Sequence, residues 1–262
     1  MDPYAWLWNP EALVVVPLLT VAYLVALRTF AAPRWRVACF IGAMALVLVV
    51  SATPVHTLAM HYLLTVHLLQ NVVLAEWAPL LVVLGLPPAL AAAMTRRAAM
   101  RVVTHPLVAL PLWLGNYMVW HLPWVYDAAL ENPNTVLHLE HALYFVTGVL
   151  MWWCIVQDAP HRLGAGARAG YVLAAFVLGS PIGLVLALVP SAIYDFYVHA
   201  HHRVWGLSAL EDQQIAGVLM SLEQAAVFFA VFAFWFLRFL EDEERRADED
   251  GLDAQYPQGT RP

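Results

Sequence analysis

Residues 58–86 read LAMHYLLTVHLLQNVVLAEWAPLLVVLGL, and this stretch decides the fold. Its only formally charged side chain is Glu76. A helix of about 20 mostly apolar residues crosses a bilayer, so this run is long enough with residues to spare. Pro79 lies inside it and removes a backbone donor, which predicts a tilt or kink. Working outward, six further apolar runs fall at 11–30, 36–54, 106–126, 135–157, 169–190 and 213–239. The breaks between them carry Pro, Gly, Arg or acidic residues. The pattern predicts an all-α, polytopic membrane protein of seven transmembrane helices, with short hairpin connections at 54–57 and 127–134.

Composition excludes a soluble domain. Hydrophobic residues make up 62% of the chain, charged residues 12%, and mean hydropathy is +0.67. A water-soluble domain carries roughly twice that charged fraction. The 13 basic residues are all arginine, and net charge is −6. Much of that charge sits in 241–262, so the chain divides into a near-neutral membrane domain, 1–240, and an acidic tail, 241–262. The tail reads as a disordered cytoplasmic extension. No basic surface suits nucleic acid, so the expected surroundings are lipid. Cys39 and Cys154 lie in apolar runs without a CxxC pattern, which excludes a disulfide framework or a cysteine-built zinc site. Met1–Pro10 has no basic stretch or small-residue cleavage site, so the first apolar run is expected to be retained.

With seven spans, Arg28, Arg34, Arg36, Arg96, Arg97, Arg101, Arg162, Arg168, Arg238, Arg245, Arg246 and Arg261 share one side, and Arg203 alone takes the other. The positive-inside rule then puts the N-terminus outside and the C-terminus in the cytoplasm.

That topology sorts the histidines. His105 and His161 fall at the cytoplasmic ends, while the other nine lie at or near the outer side. His56, His61, His199, His201 and His202 read chiefly as polar interfacial anchors. His67, His121, His138 and His141 lie deeper. At 1.5 Å rise per residue, His67 is roughly 9 Å below His61, and His121 roughly 9 Å below Asp127. His138 and His141 are spaced i, i+3, so they share a helix face. Imidazole is costly in hydrocarbon without a partner and is the commonest side-chain ligand for transition metals. These four read either as helix-to-helix hydrogen bonds or as ligands of one outward-facing metal site. Met60, Met118 and Met220 could add thioether to a soft cation, though core packing is the plainer role. Glu140 could orient a neighbouring imidazole. Glu76 and Glu223 lie near the middle of their runs and must be protonated, paired or wetted.

The stretch Trp120-His-Leu-Pro-Trp-Val-Tyr-Asp-Ala-Ala-Leu130, followed by His138-Leu-Glu-His141 and Trp152-Trp153, resembles the CtaG family of membrane proteins, assembly factors for caa3-type cytochrome c oxidases. Trp205-Gly-Leu-Ser-Ala-Leu-Glu-Asp-Gln-Gln214, with Ala216-Gly217 and Met220, is similar to that family's second signature, and Pro79–Pro87 to a third. The resemblance runs from about residue 55 to 235. It implies copper handling in a bacterial cell membrane, with a haem-copper oxidase subunit or another copper carrier as partner. Where the family has a second histidine in helix three, this chain has Asn71, a poor ligand for Cu(I), and Ser221 stands where a tryptophan is common.

The leading expectation is an assembly protein and not a turnover enzyme. It would bind copper through His67, His121, His138 and His141, with Asp127, Glu140, Asp212 and Gln214 as auxiliary donors or orienters. Two rivals stay open. One is a haem-binding membrane electron carrier with His67 and His121 as axial ligands. The other is a zinc-dependent membrane hydrolase with Asp127 or Glu140 as base.

Overall fold

A computed structural model describes residues 2–7, 9–200 and 203–255. Every regular element among them is helical. The chain opens with α1 (Pro10–Ala26), α2 (Arg34–Ala52), α3 (Pro54–His61) and α4 (Leu64–Val72). A π turn over Val73–Trp77 joins α4 to α5 (Ala78–Gly85). Short helices α6 (Pro88–Met94) and α7 (Ala98–Val103) lead to α8 (Pro106–Trp120), α9 (Pro123–Glu131) and α10 (Val136–Val156). Then follow α11 (Ala165–Gly179), α12 (Pro181–Leu188), α13 (Asp195–Val198) and α14 (Ala209–Gln255).

Five helices are long and apolar enough to cross a membrane: Arg34–Ala52, Leu64–Gly85, Val136–Val156, Ala165–Leu188 and Ala209–Glu249. They fit a multi-pass membrane protein. The runs at 11–30 and 106–126 form shorter helices, of 17 and 15 residues, each with an internal proline. Proline also decides several boundaries. Pro54, Pro88, Pro106, Pro123 and Pro181 each occupy a helix's first turn, where a missing N–H costs nothing. Pro54 therefore starts α3 where a plain connection at 54–57 was expected. Pro123 likewise ends the 106–126 run at His121 and turns much of 127–134 into α9. The acidic segment is also regular: it continues α14 to Gln255. Pairs at i, i+3 and i, i+4 run along it, among them Arg238–Glu241, Arg245–Asp242 and Arg246–Glu243.

The disturbance expected at Pro79 takes the form of the π turn just before it. Proline cannot donate to the carbonyl four residues back, here Ala75, and its ring crowds that group. The carbonyl of Ala75 faces α10 instead, where a Cβ on Gly148 would sit 2.1 Å from it. Glycine at 148 is what lets α10 press on the turn. A second close approach joins α12 to α14, where a Cβ on Gly217 would meet the Gly183 carbonyl at 2.5 Å. Close approach at small residues is how apolar helices pack where the surroundings supply no hydrophobic drive.

The helix ends sort into two groups. At one end the Arg36 Nη1 donates to the carbonyls of Leu84 and Leu86, and Gln157 Nε2 to those of Val83 and Leu86. Arg168 donates to Ile155 and lies over the Trp235 ring at 4.5 Å. This arginine end thus joins the start of α2 and α11 to the close of α5 and α10. The starts of α4, α10 and α14 lie at the opposite end, which carries the histidines other than His105 and His161 among those described.

Candidate functional site

Two aspartates frame the histidine end. Asp212, on the first turn of α14, accepts from the amides of Leu64 (2.7 Å) and Thr65 (3.0 Å) and from the Thr65 hydroxyl (2.7 Å). It caps the start of α4 from another helix, meeting donors that a helix N-terminus leaves unpaired. Asp127, on α9, caps α13 in the same way through the amides of Asp195 (3.2 Å) and Phe196 (3.1 Å). Both carboxylates are engaged with backbone. They hold the elements that carry the site's side chains.

His67 is fully buried on α4. Its Nδ1 lies 2.9 Å from the Tyr197 hydroxyl, and that hydroxyl donates its one proton to the Ala59 carbonyl at 2.5 Å. Tyr197 can therefore only accept from His67, which fixes the proton on Nδ1 and leaves the lone pair on Nε2. His121, the C-cap of α8, is set the same way. Its Nδ1 donates to the Tyr117 carbonyl at 2.8 Å. The Nε2 atoms of His67, His121 and His141 are all buried without a hydrogen-bond partner. Buried polar atoms are rarely left so.

The rings are distributed unevenly. His67 and His141 have centroids 6.1 Å apart and planes at 77°. Tyr126 neighbours both His67 and His121, at 5.2 Å and 6.4 Å from the two rings, and its hydroxyl also lacks a partner. The structure thus pairs His67 with His141, while His121 and His67 share Tyr126 as a neighbour. Among the described residues no group of three or more His, Cys, Asp or Glu could hold a metal ion. His138 and His141 line a mainly apolar cleft of about 370 Å³ that also touches Val16, Met44 and Ser51. Burial pushes the His56 imidazole, on α3, down to about 4, with Gln70 as its hydrogen-bond partner.

The remaining polar residues pair with each other. Glu140 accepts from Asn71 at 3.1 Å, so the residue that departs from the family pattern holds the carboxyl and not an imidazole. Farther along, Glu76 accepts from Gln224 at 3.1 Å and Glu223 accepts from the Trp77 indole. A void of about 10 Å³, the size of one water, lies among Asn71, Glu76, Tyr117, His121, Tyr144 and Met220.

Gln214 is half-buried, and the bridging role falls to its neighbour Gln213, which accepts from the Ile193 amide and donates to the Leu186 and Ser191 carbonyls. Met220 is buried beside His121, whereas Met118 is exposed. His61 is exposed, His199 bonds the Asp195 carbonyl, and His201 and His202 lie outside the described residues. The tyrosines Tyr117, Tyr126, Tyr144, Tyr194 and Tyr197 escaped the reading of the sequence, though they build the shell around the imidazoles. A signal existed: Tyr117 and His121 are spaced i, i+4 and His141 and Tyr144 i, i+3, which puts each pair on one helix face.

The family model for the cytochrome c oxidase caa3 assembly factor matches residues 21–242. An uncharacterized protein of Mycobacterium bovis is 26% identical over 224 residues, covering 73% of this chain and 33% of the relative. One from Mycobacterium leprae is 26% identical over 227 residues, covering 72% and 34%. The chain spans about a third of the length of these curated relatives. No solved structure matches. With the match running through nearly all the helices that frame the histidine end, the chain belongs to the caa3 cytochrome c oxidase assembly factor family.

Proposed function

We propose that this protein takes up Cu(I) at the histidine end and passes it toward a haem-copper oxidase during assembly, with no catalytic turnover. The observation that carries the reading is the His67–His141 pair: two imidazoles from different helices, 6.1 Å apart, each with a buried Nε2 that has no hydrogen-bond partner among the described residues. Metal–nitrogen bonds of about 2.0–2.1 Å across an imidazole–ion–imidazole bridge put ring centres about 6 Å apart. Cu(I) accepts two donors, so the pair fits this cargo without the four-histidine cage expected from sequence. His121 and His138 flank it as further stations, and His138 opens on the cleft. A two-point grip also suits a carrier, which must release what it binds.

In this reading the five long helices are joined by α1 and α8 to make seven crossings of a bacterial cell membrane. The N-terminus and histidine end face outward, and the arginine end faces the cytoplasm. The gathering of Arg36, Arg101 and Arg168 with the ends of α5 and α10 agrees with the positive-inside rule. The partner is an oxidase subunit or another copper carrier.

The test is Cu(I) titration of the purified protein against a chromophoric competitor. One equivalent should bind, and His67→Ala or His141→Ala should each weaken it by about 100-fold or more, beyond the 10–100-fold typical of lost supporting contacts. Unchanged affinity in both variants would overturn the proposal. Parallel Zn(II) titration and the visible spectrum report on the zinc and haem alternatives.

A further inference from the structure

The arginine end holds a feature that copper handling does not use. A cavity of about 380 Å³ opens between the α6–α7 corner and the loop after α10, lined by Thr95, Arg96, Arg101, Ala159, Pro160 and His161. Among the described residues no acidic side chain lines it. We infer that this basin is a binding site for a phosphate-bearing anion.

The basin is built and not merely exposed. Arg101 Nε donates to the Thr95 carbonyl at 3.2 Å, which fixes the guanidinium across the α6–α7 turn. His161 Nε2 donates to the Arg101 carbonyl at 2.9 Å, tying the far wall to the same arginine. His105 braces His161 edge-on, with ring centroids 4.7 Å apart. The Trp153 indole holds the floor through the Ala159 carbonyl at 2.7 Å. The acid closest in sequence to this wall, Asp158, is bound to Arg168. Arg96 and Arg101 have no carboxylate partner among the described residues, and the Nη atoms of Arg101 make no hydrogen bond to the protein there. Two guanidinium groups converge with an imidazole on a concavity without a counter-ion. Guanidinium forks match phosphate oxygens in geometry and charge. Basic pockets between helices at a membrane surface recognise anionic lipid headgroups by this chemistry. A lipid headgroup and soluble phosphate share it, and experiment separates them.

The full chain in neutral detergent is tested by native mass spectrometry with phosphatidylglycerol or phosphatidylcholine, and by thermal shift with inorganic phosphate alone. The wild type should retain phosphatidylglycerol over phosphatidylcholine, or be stabilised by phosphate. Arg96→Gln should reduce the response about fivefold, the equivalent of one arginine near a charged surface. Arg34→Gln, at the same end but outside the basin, should leave it unchanged. Retention of phosphatidylglycerol assigns the anion to lipid, and a basin-dependent response to phosphate alone assigns it to solution. The Arg96 side chain is exposed and makes no hydrogen bond among the described residues, so its variant folds even where Arg101→Gln does not. No selective response from either ligand, or an equal response from wild type and Arg96→Gln, would overturn the inference.

Discussion

The histidine end and the arginine end handle polar groups in opposite ways. At the histidine end the side chains are buried and neutral partners tie down one nitrogen of His67 and of His121, leaving the other bare. At the arginine end Arg96 and Arg101 line an open basin, and Arg101 is braced through a single side-chain contact to Thr95. Burial makes a bare nitrogen expensive, so the first region is poised for a ligand that bonds it directly. Exposure makes a guanidinium cheap, so the second recognises charge from the surface. The comparison teaches that unmet valence points to a specific ligand only where water cannot meet it.

The contrast can be broken most forcefully at His67. Its replacement by alanine should cost about 100-fold or more in Cu(I) affinity, whereas Arg96→Gln should leave copper titrations untouched. The next largest effect concerns the frame. Asp212→Ala orphans the Leu64 and Thr65 amides, while the Thr65 hydroxyl keeps the residue 212 carbonyl, and should cost about 3 kcal/mol of stability in denaturant or thermal melts, because charged acceptors contribute about 1.5–3 kcal/mol each.

A pH effect of about 3 kcal/mol should follow from His56. Its folded pKa is lowered from 6.5 to about 4, so below pH 6.5 the unfolded chain takes up a proton that the folded chain refuses. Stability contributed by neutral His56 is complete above pH 6.5 and falls as pH drops from there toward 4. His56→Gln should flatten that slope in melts across the window, and an unchanged slope would remove His56 as its source. Smaller still, Tyr197→Phe keeps the ring but removes the acceptor that sets the His67 tautomer. Copper affinity should fall about tenfold, since outer partners of metal-ligating histidines typically contribute 10–100-fold, and melting should fall modestly as the Ala59 carbonyl and the His67 Nδ1–H lose their partner. Equal affinity in the phenylalanine variant would mean that Tyr197 only packs.

Much of the fold was legible because hydrocarbon imposes a simple demand. Runs such as 36–54, 58–86 and 135–157 are apolar for about the thickness of a bilayer, and each became a long helix. The finer breaks were less legible. Pro54 looked like part of a connection and Pro123 like part of the 106–126 run, yet proline starts a helix as readily as it ends one, and only the chain geometry distinguishes the two. The acidic stretch after Glu241 was read by composition alone, and its i, i+3 pairs kept it helical to Gln255. At the site, helical spacing picked out His138 and His141 but could not say that His67 would meet His141 while His121 and His67 shared Tyr126 as a neighbour. Asp127 and Asp212 looked like donors because carboxylates often bind metals. Their partners are instead backbone amides far away in sequence.

The sequence by itself determined that this chain is helical, that it builds helices long and apolar enough to cross a membrane, and that it divides between an arginine-bearing end and a histidine-bearing end. Those properties follow from the side-chain chemistry of each local segment. Only the tertiary structure decided which imidazoles pair, which nitrogen of His67 is bare and which arginines share a basin. Each of those outcomes depends on contacts between helices distant in sequence, and neither spacing nor composition encodes how such helices rotate against one another.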